Sequence, residues 1–201
     1  MLRVDVEDGI AALQAGELVV YPTETFYAIG ADAFSSAALE RLFLLKGREP
    51  GRPVGLIAAD TAMAFSVARD ISADARRLAK AFWPGPLTIV LPARDEIARE
   101  LTGPDGVGVR VSPNSIAQAL SAGIARPITA TSANLSGAAP AATLDEARNQ
   151  LGETVKVYLE GGMLTASAPS TVVAVNSSGW KMVRVGAIPE SQIAAAIAGD
   201  A

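Results

Sequence analysis

Residues Ile128-Thr129-Ala130-Thr131-Ser132-Ala133-Asn134-Leu135-Ser136-Gly137 open on a short β-prone run and end in small residues with hydroxyl or amide side chains around one leucine. A segment of this kind contributes little to a core. Thr131, Ser132, Asn134 and Ser136 bring donors and acceptors, and Gly137 lets the backbone turn or come close to a ligand. Two readings stand side by side: a Ser/Asn-rich turn, or the polar lining of a small-molecule pocket at a strand end, which is where α/β folds gather ligands.

Composition narrows the chemistry. The 201 residues include no His and no Cys. That excludes Ser-His-Asp and Cys-His nucleophiles and zinc sites of the Cys/His type. What remains is carboxylates, hydroxyls, Lys, Arg, backbone N–H groups and oxygen-bound ions such as magnesium. Phosphoryl and nucleotidyl transfer suit that inventory, because they rest on positioning and charge neutralisation. Half the residues are apolar and few are aromatic, so a core of Ala, Val, Leu and Ile is expected. With 17 basic and 21 acidic residues the chain offers no broad basic face for nucleic acid. Met1 to Asp5 show no signal-peptide pattern, and no uninterrupted apolar run is long enough for a bilayer. A cytoplasmic protein without a membrane segment is the expectation.

Outward from the opening stretch, strands are expected at Leu2–Val6, Leu18–Tyr21, Val54–Ala59, Thr88–Leu91, Val107–Val111 and Val155–Leu159. Helices are expected at Glu7–Ala15, Ser35–Lys46, Ser72–Trp83, Asn114–Ala122, Thr143–Gln150 and Pro189–Ala198. Gly16 and Gly47 stop the first two, Ser72 is an N-cap, and Thr143 to Glu146 form a capping box. Thr171–Val175 and Trp180–Val185 flank Asn176-Ser177-Ser178-Gly179 as a β-hairpin. Pro22–Gly30 reads as irregular, Gly161–Pro169 as a loop near the site, and the tail after Gly199 as frayed. Helices and strands do not alternate strictly. The order therefore predicts an α/β fold with a twisted, mixed parallel and antiparallel sheet and helices packed on it.

Several segments could carry chemistry. Tyr21-Pro22-Thr23-Glu24-Thr25-Phe26-Tyr27 leaves a buried strand: Thr25 suits a ligand amine or hydroxyl, and Glu24 suits a cation or a helix cap. A plain turn is the other reading. Lys46, Arg48 and Arg52 crowd a loop broken by Gly and Pro, which makes either a phosphate clamp or a solvated basic loop. The Gly-x-x-x-x-Gly-Lys-Ser/Thr order of a P-loop is missing. Trp83-Pro84-Gly85-Pro86 reads as a stiff structural corner. Arg110 stands inside an apolar strand and needs an anion there, from a ligand or from a protein acid. Hairpin pairing brings Arg184 and Ser170 to one end of the sheet.

Taken together, Tyr21 to Thr25, Lys46-Gly47-Arg48 with Pro53, Trp83 to Thr88, Arg110, Ser132 to Gly137, Pro169-Ser170-Thr171 and Arg184-x-Gly186 occur in the order and at spacings similar to the YrdC-like domain of threonylcarbamoyl-AMP synthases. The chain resembles the short form of that family, as a single domain over residues 1–201. The resemblance implies a concave, locally positive cavity and a reaction in which L-threonine, bicarbonate and ATP, with Mg2+, give threonylcarbamoyl-AMP and pyrophosphate. It implies Lys46 and Arg48 as catalytic residues, and Thr25, Arg110 and Ser170 as threonine contacts. For ATP it implies Lys46, Arg48, Arg52, Ser132, Asn134 and Arg184. It also implies a downstream transferase that modifies tRNA, and weak tRNA binding. A non-catalytic RNA-binding module of the same fold is the alternative, against which the acidic balance and the few aromatic residues count. The chain departs from the family pattern at Ala28, where Gly is usual, at Glu49 and Arg52 in the basic loop, and at Ser112, where Pro is common. Ala28 requires a negative φ.

Overall fold

The structure is a computed structural model that describes residues 5–47, 53–165 and 168–199. The chain runs α1 (Val6–Gln14), β1 (Val19–Tyr21), β2 (Ala28–Gly30), α2 (Ser36–Lys46), β3 (Leu56–Ala58), α3 (Thr61–Ser66), α4 (Ala73–Phe82) and β4 (Leu87–Leu91). It continues with β5 (Thr102–Gly103), β6 (Gly106–Val111), α5 (Ser115–Gly123), β7 (Ile128–Thr129), β8 (Thr131–Ser132) and α6 (Leu144–Leu151). The last elements are β9 (Val157–Tyr158), β10 (Thr171–Asn176), β11 (Gly179–Arg184) and α7 (Glu190–Ala198).

Local chemistry accounts for most helix limits. Ser35, Ser72 and Asn114 cap α2, α4 and α5 through their side chains, and Thr143 with Glu146 closes a full capping box on α6. Gly47 ends α2 at φ 54°, a left-handed turn that a Cβ would disfavour. Trp83 anchors its corner as expected: it is buried, and its indole N–H donates to the Leu87 carbonyl at 2.7 Å.

Three expectations change. Val6 opens α1 behind an Asp5 capping box, so it is not the end of a strand; residues 2–4 lie outside the described residues. The segment expected to be irregular contains β2, whose partners are β1 and the distant β8. Helix α3, capped by Asp60, has no counterpart among the expected helices; six residues are too few to display a period.

The sheet is mixed, as expected, and is divided in two. Strands β8-β2-β1-β9 form one sheet, and β11-β10-β4-β6-β3-β7, with β5 also beside β6, form the other. Both contain parallel pairs (β1 with β9; β10 with β4; β3 with β6) alongside antiparallel ones. The stretch Ile128–Ser132 is the step between them. β7 pairs with β3 of the larger sheet, and two residues later β8 pairs with β2 of the smaller. A large apolar cluster fills the body of the molecule. A second one, including Leu13, Val19, Tyr21, Ile57, Leu120 and Ile128, seats α1 and α5 against the strands. No described helix is long and apolar enough to cross a membrane.

Thr129 ties the two sheets together. Its buried Oγ1 accepts from the Ala31 N–H at 2.9 Å and donates to the Ile29 carbonyl at 3.1 Å, while its own carbonyl accepts from the Tyr21 hydroxyl at 2.8 Å. Valine at 129 keeps the shape and leaves a buried amide unpaired. Thr129→Val should lower stability by about 1–3 kcal/mol, read from urea unfolding midpoints; an unchanged midpoint would remove this tie.

Candidate active site

The step from β7 to β8 leaves a cavity of about 710 Å³ between the sheets. Ala28, Thr131 and Ser132 reach it from the smaller sheet, and Thr88, Gly108 and Arg110 from the larger. Space there depends on small side chains: a Cβ on Gly108 would stand 3.1 Å from the Thr88 methyl. Ala28 is accommodated, since Ala125 is the one described non-glycine residue with positive φ.

Arg110 dominates the electrostatics. It is 8% exposed, near the end of β6. Its Nε lies 3.1 Å from Glu24 Oε1, yet neither atom has an aligned hydrogen bond, so the contact is an ion pair by proximity. The other Glu24 oxygen accepts from the Ser112 hydroxyl. Sequence reasoning left the Arg110 counter-ion open between ligand and protein; the protein supplies one in Glu24. The Nη groups of Arg110 make no hydrogen bond to the described residues, and the residue lines the cavity.

Arg184 stands on the same cavity wall. Its Nε and Nη2 donate to the Ser170 carbonyl at 3.2 and 2.8 Å, and Nη2 also reaches Ser170 Oγ at 3.1 Å. Ser170 Oγ lies 3.0 Å from Thr88 Oγ1. Burial, and then the like charge of Arg110, hold the Arg184 pKa below its usual value. An anion bound beside Arg184 and Arg110 would offset that repulsion.

Thr25 has a defined polarity. Thr23 Oγ1 donates its proton to the Phe26 carbonyl at 2.7 Å, so in the 3.1 Å contact between the two hydroxyls Thr25 is the donor. Thr25 Oγ1 therefore offers lone pairs to a ligand, the polarity an amine requires. Thr25 also borders a second cavity of about 370 Å³, shared with Glu24.

The structure thus brings Thr25, Arg110, Ser132, Ser170 and Arg184 to one cavity. Lys46 is placed differently: its buried ammonium donates to Ser132 O at 2.9 Å, Asn134 O at 2.5 Å and Asn134 Oδ1 at 3.0 Å. Asn134 is similarly engaged, its Oδ1 accepting from Ser132 Oγ and its Nδ2 donating to Ala138 O, each at 2.5 Å. Here both side chains shape the Ser132–Asn134 loop, with Ser132 at the cavity surface. Arg48 and Arg52 lie outside the described residues. Sequence reasoning missed Thr88 and the role of Ser112; a Pro at 112 has no hydroxyl to give Glu24.

The Sua5/YciO/YrdC family model, described as "Telomere recombination", matches residues 11–186. The chain belongs to this family. It is 38% identical over 160 residues to the threonylcarbamoyl-AMP synthase of Photobacterium profundum, covering 78% of the chain and 86% of that relative. The threonylcarbamoyl-AMP synthase of Pyrococcus abyssi is 35% identical over 182 residues, 90% of the chain but 54% of the relative's length. Among solved structures of the family, P. abyssi Sua5 complexed with L-threonine superposes with TM-score 0.89 at 33% identity, over 98% of this chain and 59% of that one. Escherichia coli YciO follows with TM-score 0.81 at 27% identity, over 92% and 90%.

Tyr27, at the cavity wall, gives a pH handle. Its hydroxyl donates to Gly162 O and accepts from Gly161 N, both at 2.9 Å, and burial pushes its pKa up to about 12 from 10. The folded state thus holds this proton more tightly than the unfolded chain. The stabilisation is complete below pH 10 and disappears as pH rises from 10 to about 12. The urea midpoint should fall across that window, and less steeply in Tyr27→Phe; identical slopes would remove Tyr27 as a contributor.

Proposed function

We propose that the chain is an L-threonylcarbamoyl-adenylate synthase, joining L-threonine, bicarbonate and ATP to give threonylcarbamoyl-AMP and pyrophosphate. The observation that carries this reading is the convergence of Thr25, Arg110, Ser132, Ser170 and Arg184 on one cavity between the sheets. The Arg110 Nη groups take the threonine carboxylate, and the lone pairs of Thr25 Oγ1 accept a hydrogen bond from its nitrogen. With the amino acid held at both ends, its nitrogen bonds to the bicarbonate carbon with loss of water to give the carbamate, and a carbamate oxygen attacks the α-phosphorus of ATP and expels pyrophosphate. Arg184 stands where it can neutralise phosphate oxygens, and Lys46 holds the Ser132–Asn134 loop in place for the nucleotide. Arg48 and Arg52 join the phosphate side on sequence grounds. The rate enhancement then rests on orientation and fixed charge, without a covalent enzyme intermediate.

Mg2+ enters this reading with ATP, carried on the phosphate oxygens. The described residues gather no group of three acidic, imidazole or thiol side chains as a metal cage, so the ATP phosphates would hold the ion and it would supply charge neutralisation there. The product is a labile mixed anhydride, to be consumed by a transferase that modifies tRNA.

The test is pyrophosphate release with each substrate omitted in turn. Release should require ATP, threonine and bicarbonate together. Arg110→Ala should raise the threonine requirement roughly 10- to 100-fold, the size expected for lost charge-assisted hydrogen bonds, and leave the ATP requirement within about twofold. Pyrophosphate release that ignores threonine, or salt-sensitive RNA binding with no release at all, would contradict the proposal.

A further inference from the structure

Ser112 lies just past β6 and is fully buried; it is not among the described residues lining the cavity. Its hydroxyl accepts from the Asn114 backbone N–H at 3.2 Å. A carboxylate has no proton to give, so the Ser112 proton goes to Glu24 Oε2. Two further contacts brace Ser112 from the start of α5. Gln118 Nε2 donates to its carbonyl at 2.8 Å, and Asn114 is itself fixed by capping Ile116 and Ala117. The α5 N-terminus therefore fixes Ser112, and Ser112 fixes Glu24. Glu24 Oε1 then sits 3.1 Å from Arg110 Nε, both atoms sealed from solvent.

This arrangement decides which edge of the guanidinium faces the ligand. The Nε edge turns inward to Glu24, and the Nη groups stay open at the cavity. Charge agrees with geometry. Asp105, the one acid of the described lining, is paired with Lys181 at 2.8 Å, so Arg110 and Arg184 line the cavity without a competing carboxylate there.

We propose that Ser112 is a positioning residue for the amino-acid carboxylate: its hydroxyl holds Glu24 against the inner edge of Arg110, which keeps the outer edge aimed at the substrate. The inference rests on the threonine-site reading above. It adds a residue that touches no substrate.

The test compares two ligands that differ at the carboxylate, L-threonine and L-threoninamide, by NMR titration of the wild type and Ser112→Ala. Ser112→Ala should weaken L-threonine about three- to tenfold, a range typical of one hydrogen bond to a charged group, and leave L-threoninamide within about twofold. In the pyrophosphate assay the threonine KM should rise by the same factor while kcat at saturating threonine holds. Equal weakening of both ligands would mark a merely structural role and overturn the inference. Unchanged threonine affinity in the variant would overturn it as well, with the functional reading intact. If the wild type itself fails to bind L-threonine, the functional reading falls, and this inference with it.

Discussion

A guanidinium on an interior strand must be answered. Moving an ion of this size out of water costs several kcal/mol even after relaxation, and Arg110 is almost wholly withdrawn from solvent on β6. Its inner edge is answered by Glu24, delivered by the chain as it leaves β1. Its outer edge is left for whatever enters the cavity. The placement of Tyr21 to Thr25 follows from that demand: the turn that brings Glu24 to Arg110 also sets Thr25 at the cavity wall, with its hydroxyl polarity fixed by Thr23.

The fold makes room for this charge by splitting its sheet. The chain passes from one sheet to the other within Ile128–Ser132, and the gap opened there is lined by short side chains such as Ala28, Gly108 and Ala130. Lys46 reaches from the end of α2 to hold the far side of the gap. Helix caps, sheet crossing and site are one construction. The left-handed Gly47 ends α2 just after the lysine that shapes the Ser132–Asn134 loop.

Much of this was legible in the sequence where the signal is local. The capping box at Thr143, the N-cap at Ser72 and the hairpin around Asn176–Gly179 each depend on a few adjacent residues, and the structure has them all. The mixed sheet followed from the irregular order of strands and helices. Strand β2 was not legible, because three residues carry little periodicity and their partner β8 is distant in the chain. The site divides in the same way. Arg110 announced itself as a charge in an apolar strand, and Thr25, Ser170 and Arg184 as polar groups at strand ends. The Glu24 pairing and the Ser112 hydroxyl were not legible, since each gains its meaning from a residue far away in sequence. Lys46 and Asn134 read as ligand contacts from residue type, and the hydrogen bonds by which both also build the Ser132–Asn134 loop were not legible, since residue type does not reveal them.

The most direct measurement is a crystal structure with L-threonine and a non-hydrolysable ATP analogue bound together. The account predicts the threonine carboxylate at hydrogen-bonding distance, about 3 Å, from the Arg110 Nη groups, with Glu24 still behind Nε and the nucleotide in the same cavity between the two sheets. A carboxylate held elsewhere, with Arg110 facing Glu24 alone, would contradict it.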